Sequence, residues 1–440
     1  MRFPHNVNDV IKRLEAAGFE AYAVGGCVRD SLLGLIPPDY DIATSAVPDE
    51  IKEVFNGFKT VDIGAKHGTI AVITENFKIE ITSFRTDGGY SDSRRPDSVT
   101  FTRDLKSDLS RRDFTVNAMA YSDKSGLVDL FGGEKDLRDG VLRSVGEAEK
   151  RFNEDALRIM RALRFMSERG FVCEGKTEAA VFKLKNHLLK IAPERIATEF
   201  DRLLLGEFAE NIIIKYYEVL GVIFPELTAC ANFDQRNKYH SYDVLTHIAK
   251  TVSASPKERV IRLAMFFHDI AKPLCFTLED GVGHVPGHQK KSAEIAEKAM
   301  MRLRYDNASV NKVRLLVENH DNELRTDSIS IKKLLNKFGL ETLLLLCDVQ
   351  IADNSAKAEF VKEKIKSCIL LKEKARETAV SGECFSLGQL AVNGNDLIKL
   401  GFRGEEIGKI LHDLLDLVIT EQVENRKEIL TIIVENFKKL

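Results

Sequence analysis

The sequence predicts an α+β protein with one small mixed sheet within residues 1–135, followed by helices to the end of the chain. Two observations predict it. Short apolar runs bounded by Gly, Pro and Asp, at Ala21-Tyr22-Ala23-Val24 and at residues 39–42, 68–74 and 77–84, read as strands, and all fall early in the chain. From Asn153 onward strand signals nearly vanish, and apolar residues recur with the 3.6-residue period of helices. A length of 440 residues exceeds what one core organises, so about two to four domains are expected.

The elements follow in order. Residues 7–18 read as an amphipathic helix ending at Gly18. The apolar step 21–24 then runs into Gly25-Gly26 and a second helix carrying Arg29 and Asp30. Residues 88–96 form a loop rich in Gly, Ser and Arg. Breaks at Gly132-Gly133, Ala192-Pro193-Glu194, residues 232–238 and Ser381-Gly382 suggest a head at 1–135, a helical neck at 136–231, a helical body at 232–380 and a helical tail at 381–440. No internal repeat is visible.

With 44% hydrophobic and 30% charged residues the chain is an ordinary globular protein, which excludes disordered and fibrous classes. No run approaches eighteen apolar residues, and Met1-Arg2-Phe3-Pro4-His5 lacks a signal peptide's apolar stretch, so a cytoplasmic protein with no membrane partner is expected. The seven cysteines form no C-x-x-C pair and read as free thiols. The net charge is only −3, so a polyanion must be met by a local patch. Arg85, Arg94, Arg95, Arg103, Lys106, Arg111 and Arg112 supply one.

In Asp39-Tyr40-Asp41 a strand would project both carboxylates from one face, a set of oxygen ligands suited to Mg²⁺. Carboxylate-held metal can neutralise a triphosphate and activate a hydroxyl for phosphoryl transfer. Glu80 could add a third carboxylate from a neighbouring strand. Upstream, Gly25-Gly26 lets backbone amides approach a phosphate at a helix start, with Arg29 one turn further on. Residues 152–165 have helical period with Asn153 as a candidate N-cap, and Asp155, Arg158, Arg161 and Arg164 make a drifting polar stripe opposite Ile159, Leu163 and Met166. A carboxylate and a guanidinium on this stripe can meet the amino-plus-acceptor edge shared by cytosine and adenine, which uracil and guanine lack.

The blocks Gly25-Gly26-x-Val28-Arg29-Asp30, Asp39-x-Asp41, Arg111-Arg112-Asp113 through Ala120, Asp129-x-Phe131-Gly132-Gly133 and Glu154-Asp155-x-x-Arg158-x-x-Arg161 together resemble the class II tRNA nucleotidyltransferase and bacterial poly(A) polymerase family, in the polymerase β superfamily. The resemblance runs almost unbroken over residues 20–200. It implies a polymerase β-like nucleotidyltransferase head, Asp155 and Arg158 as base readers, and Arg161, Arg164 and Arg112 as aids to nucleotide binding. It also implies ATP, CTP and the tRNA 3′ end as partners, with CCA addition as the reaction. Poly(A) synthesis, or addition of only A or only CC, are the alternatives. Residues 86–96, with Tyr90, Arg94 and Arg95, match the family's loop linked to the switch from cytidine to adenosine. The Ala192-Pro193-Glu194-Arg195-Ile196 block is read as neck support without chemistry.

Further on, His247, His268-Asp269 and Asp353, with His288 and His320 between them, resemble the HD phosphohydrolase superfamily, which implies an HD-type body. Such ligands suit a divalent transition metal that activates water. Asp348 rivals Asp353 as the last ligand. An HD phosphohydrolase using its head only to bind RNA is therefore the reading from another class, and a monomer and a homodimer both stay open.

Overall fold

The computed structural model describes residues 1, 3–64, 68–74, 78–88 and 98–437. The chain folds as two compact units, Met1–Thr228 and Ala229–Leu440. The first carries a seven-stranded mixed sheet and the second is overwhelmingly helical, so the architecture is α+β.

In the first unit, helix α1 (His5–Ala16) buries Val7, Val10, Ile11 and Leu14, the spacing that puts one helix face inward. Strand β1 (Ala21–Val24) leads into helix α2 (Gly26–Leu32), and β2 (Asp41–Thr44), β3 (Lys59–Gly64), β4 (Thr69–Ile73) and β5 (Lys78–Ser83) follow. Strands β6 (Met119–Ser122) and β7 (Gly126–Asp129) complete the sheet in the order β3-β4-β5-β2-β1-β6-β7. Strand β2 pairs antiparallel with β1, Ala23 opposite Ile42, and parallel with β5, Asp41 opposite Glu80. Ile42, Ile70, Val72, Ile79 and Ile81 are fully buried, each worth roughly 1.5–3 kcal/mol of transfer free energy.

Strand β2 begins at Asp41, two residues later than the sequence pattern suggests, so Asp39 precedes the strand. The reason is pairing: the ladder with β5 starts at Asp41. Three very short strand pairs also escape the periodicity argument. Arg85–Asp87 pairs with Val99–Phe101, Val141–Leu142 with Val172–Cys173, and Thr277–Glu279 with Val282–His284, too few residues in each to show alternation.

Helices α3 (Leu105–Ser110), α4 (Ala148–Glu154), α5 (Leu157–Arg169) and α6 (Pro193–Leu205) finish the part of the unit that matters for chemistry. The single helix expected over 152–165 is two, and Asn153 is not its cap. Asn153 sits inside α4 and donates to the Glu149 carbonyl at 2.9 Å. Asp155 is extended (φ −139°, ψ 103°) and its Oδ1 accepts the Leu157 N–H at 3.0 Å. An Asp side chain that satisfies an orphan amide at a helix start competes with the helix ladder, and here it wins.

In the second unit, α7 (Val244–Ala254), α8 (Arg259–Phe267), α9 (His288–Arg302), α10 (Asn307–Glu318) and α11 (Ser328–Ser355, broken at Gly339) form the helical body. A second apolar cluster gathers residues 384–434 around Leu397, Leu414 and Leu430. There Asn393 closes a capping box with Asp396, so Gly394 is helix punctuation. All seven cysteines are free. Among the described residues no helix is long and apolar enough to cross a membrane.

Candidate functional site

In the first unit a cavity of about 670 Å³ is lined by Gly25, Gly26, Arg29, Asp39, Asp41, Arg112, Asp155, Arg158, Arg161 and Arg164, among others. The fold thus gathers nearly all the sequence-derived candidates of this unit at one place. Asp39 and Asp41 are both exposed at the cavity. Protein nevertheless surrounds much of the Asp41 carboxylate, and this burial, followed by the Asp39 charge, pushes its pKa up to about 6. A carboxylate disfavoured in its ionised form by burial and by a neighbouring acid is one that a divalent cation would relieve. Glu80 lies in register beside Asp41, while its carboxylate takes Lys78 Nζ at 2.9 Å.

The glycine whose conformation matters is Gly25. Its φ of +73° suits glycine, and a Cβ there would stand 2.9 Å from Arg112 Nη1. Gly26 opens α2, which places Arg29 in the core of the unit. Arg29 Nε donates to Asp30 Oδ1 at 2.9 Å and Nη1 to Asn117 Oδ1 at 2.5 Å, and the guanidinium lies 5.0 Å from the Phe165 ring centre. Its orientation is set before any ligand arrives.

The arginines of α5 are not a solvated face, since Arg158 and Arg164 are buried. Arg158 donates to the carbonyls of Arg151 (3.1 Å) and Arg111 (2.9 Å) and to Glu154 (3.0 Å). That leaves part of its five-donor fork for a ligand. Arg161 forks onto Asp113 through Nε (2.8 Å) and Nη2 (2.6 Å). Burial pushes the Asp113 carboxyl up, but Arg161 and the Asn117 amide hold it down to about 2. Arg164 pairs with Glu199 at 3.1 Å, and burial draws its pKa down to about 10.

Sequence reading missed three positioning residues. Asp113 and Asn117 stand in the Arg111–Ala120 block, where an acid inside a basic run was the available signal. Arg195, read as having no chemistry, lines the cavity and donates Nη2 to Asp155 Oδ2 at 2.9 Å. Of the proposed basic patch, Arg111 and Arg112 line the cavity. Arg103 is instead engaged by the Ser45 carbonyl (2.6 Å) and Glu50 (2.8 Å). Tyr90, Arg94 and Arg95 fall outside the described residues.

The second unit contains a buried cluster. His247, His268, Asp269 and Asp353 offer ligand atoms within 4.8 Å of one another, and Asp269 is shared with a second group completed by His288 and His320. His247 Nε2 lies 3.0 Å from Asp353 Oδ1 and 3.2 Å from Asp269 Oδ2, and His268 Nε2 lies 3.2 Å from Asp269 Oδ2. Each imidazole is turned by its Nδ1, which meets the carbonyl of Ala356, Met265, Val285 or Val317 for His247, His268, His288 and His320 respectively. Outer partners of this kind orient metal-binding histidines. Both Asp269 oxygens are buried, Oδ2 facing His247, His268 and Lys272 and Oδ1 facing His288 at 3.3 Å. Lys272 Nζ lies 2.7 Å from Asp269, and Lys357 Nζ 2.5 Å from Asp353. Burial draws His268 down, yet Asp269 and Asp353 outweigh it and lift its pKa to about 9. Asp348 is elsewhere, paired with Lys372 at 2.5 Å, so Asp353 is the last member of the cluster.

Comparison with known proteins agrees with this geometry. The Poly A polymerase head domain family matches residues 21–143, a probable RNA- and SrmB-binding site of polymerase A matches 170–230, and the HD domain matches 238–358. The CCA-adding enzyme of Lactobacillus delbrueckii subsp. bulgaricus is 37% identical over 418 residues, 94% of this chain and 93% of that relative. The chain belongs to the CCA-adding enzyme family. A CCA-adding enzyme of Lactiplantibacillus plantarum is 52% identical over 198 residues, 45% of this chain and 48% of the relative, so the match spans about half the length of such family members. The structure of Bacillus stearothermophilus CCA-adding enzyme in complex with CTP superposes with a TM-score of 0.76 at 31% identity, covering 100% of this chain and 98% of that one. A Thermotoga maritima family member complexed with tRNA shares the fold at 21% identity and a TM-score of 0.58, covering 98% and 95% of the two chains.

Proposed function

We propose that this chain adds C, C and A in turn to the 3′ end of tRNA from CTP and ATP, without a template and with release of pyrophosphate. The observation that carries the reading is a single cavity lined by the Asp39 and Asp41 carboxylates together with Asp155 and Arg158. Head (1–135), neck (136–231), body (232–380) and tail (381–440) are the working divisions. Asp39 and Asp41, with Glu80 beside them, would hold Mg²⁺, which when bound offsets the triphosphate charge and activates the RNA 3′-hydroxyl. Arg29, fixed by Asp30 and Asn117, and the amide of Gly26 at the start of α2 hold the triphosphate. Asp155 accepts the amino group of cytosine or adenine, and Arg158 donates to the neighbouring ring acceptor. Arg112, Arg161 and Arg164 supply positive field around the nucleotide.

Labelled CTP and ATP, given separately and together to tRNA transcripts ending before C, after C and after CC, test this. Two cytidines and one adenosine followed by arrest is the expected result. Long A-tails, adenosine alone or cytidines alone would replace it with poly(A) polymerase, A-adding or CC-adding activity.

The cluster of the second unit favours a second reading beside the first, metal-dependent hydrolysis of a phosphoester. The Asp269 carboxylate common to both residue groups and four inward-turned imidazoles support it. Hydrolysis of bis(p-nitrophenyl) phosphate with Mn²⁺, Co²⁺ or Ni²⁺, lost in Asp269→Ala, is the test.

A further inference from the structure

We infer that Arg195 sets base specificity at the nucleotide cavity, locking the Asp155 carboxylate with one guanidinium nitrogen and offering the other to the nucleotide. This rests on Asp155 being the base reader.

Asp155 lies in the joint between α4 and α5 in extended conformation, its N–H on the Arg151 carbonyl and its own carbonyl taking the Arg158 N–H, so the backbone is held from both sides. Its aim depends on its side-chain contacts. Oδ1 accepts the Leu157 N–H at 3.0 Å and Oδ2 accepts Arg195 Nη2 at 2.9 Å. A carboxylate gripped at both oxygens cannot rotate, and each oxygen keeps a lone pair for a base amino group. A uracil or guanine carbonyl facing the same oxygens meets only repulsion and an unpaired buried acceptor. Discrimination therefore depends on the grip, which Leu157 alone cannot maintain at both oxygens.

Arg195 Nη1 is buried and has no hydrogen-bond partner. Arg195 lines the cavity that also holds Asp39 and Asp41. A guanidinium with one nitrogen on a base-reading carboxylate and another left unsatisfied is placed to donate to a nucleotide acceptor. Its backbone start is rigid, because Pro193 at the beginning of α6 fixes the first turn.

The test compares kcat/KM for CTP, ATP and UTP on a tRNA transcript in Arg195→Met, Arg195→Lys and Asp155→Asn. Arg195→Met is expected to lower the CTP-over-UTP preference about tenfold or more. Arg195→Lys, which keeps a charge on Asp155 but loses the second donor, is expected to retain most of the preference with a raised KM for both proper nucleotides. If Asp155→Asn collapses the preference while Arg195→Met slows all three nucleotides equally or none, the inference falls and the base reader stands. If Asp155→Asn leaves the preference intact, both fall. Should Arg195→Met melt before assay, Arg195→Lys decides: a raised KM supports the inference, and wild-type KM values overturn it.

Discussion

In the first unit Asp39 and Asp41 stand exposed at a cavity rich in arginine, whereas in the second Asp269 and Asp353 are shut away at 1% and 2% exposure, each against a lysine. The same side-chain types serve opposite electrostatic designs. The open cavity pairs some of its arginines with carboxylates, Arg161 with Asp113 and Arg195 with Asp155, yet its lining holds more arginines than carboxylates, so positive charge remains for an incoming polyanion. The closed cluster balances its two carboxylates internally with Lys272 and Lys357. It can therefore fold without metal, while among the described residues Asp39 and Asp41 make no ion pair and, of the cations, only Arg112 acts on Asp41, through its field.

The largest expected effect falls on the open site. Asp41→Ala should cut nucleotide incorporation by at least about 10³-fold with tRNA binding preserved in a filter-binding assay. A variant that still incorporates CTP would remove the carboxylate from the chemistry. In the closed cluster, Asp353→Asn strands the Lys357 ammonium in a buried setting and should cost about 3–5 kcal/mol in thermal or denaturant unfolding. An unchanged melt would mean that the lysine is not held by this pair.

Acid sharpens the contrast further. The folded pKa of Asp113 is depressed to about 2 from its ordinary 3.8, so its ion pair contributes stability above pH 4 that is lost as pH falls through 2. That contribution is about 2 kcal/mol. Unfolding of wild type and Arg161→Met, followed from pH 5 to pH 2, should converge at the acid end, and parallel curves would deny the pair its role. The smallest effect concerns the cluster: stripping metal with a chelator should move the melting temperature by no more than about 2 °C, because both carboxylates keep their lysines. A large drop would make the metal structural and end the comparison.

Much of this was legible in the sequence because the blocks are dense in chemistry-bearing residues at fixed spacing. The α+β class and the family followed from strand signals confined to the front of the chain and from the Gly25–Asp41 and Glu154–Arg161 blocks. The joint at Asp155 was not legible, since a helical period continues straight across it and only a side-chain bond to Leu157 N interrupts the ladder. Arg195 was missed because Pro193 at a helix start explains its block well enough without chemistry. The alternation rule also placed Asp39 on a strand that starts only where pairing with Glu80's strand begins. Pairing partners, which one sequence does not display, decided that boundary.

The joint between the two helices at Asp155 has a mechanical consequence. A reader seated inside a helix could be redirected only by tilting the whole rod and the buried residues Ile159, Leu163 and Met166 that anchor it. Seated in the joint, its two oxygens are set by single contacts to the Leu157 N–H and to Arg195 Nη2, so its aim changes with the exchange of one side-chain partner while both rods stand still. An alphabet of two letters then needs only a pivot the size of a single amino acid.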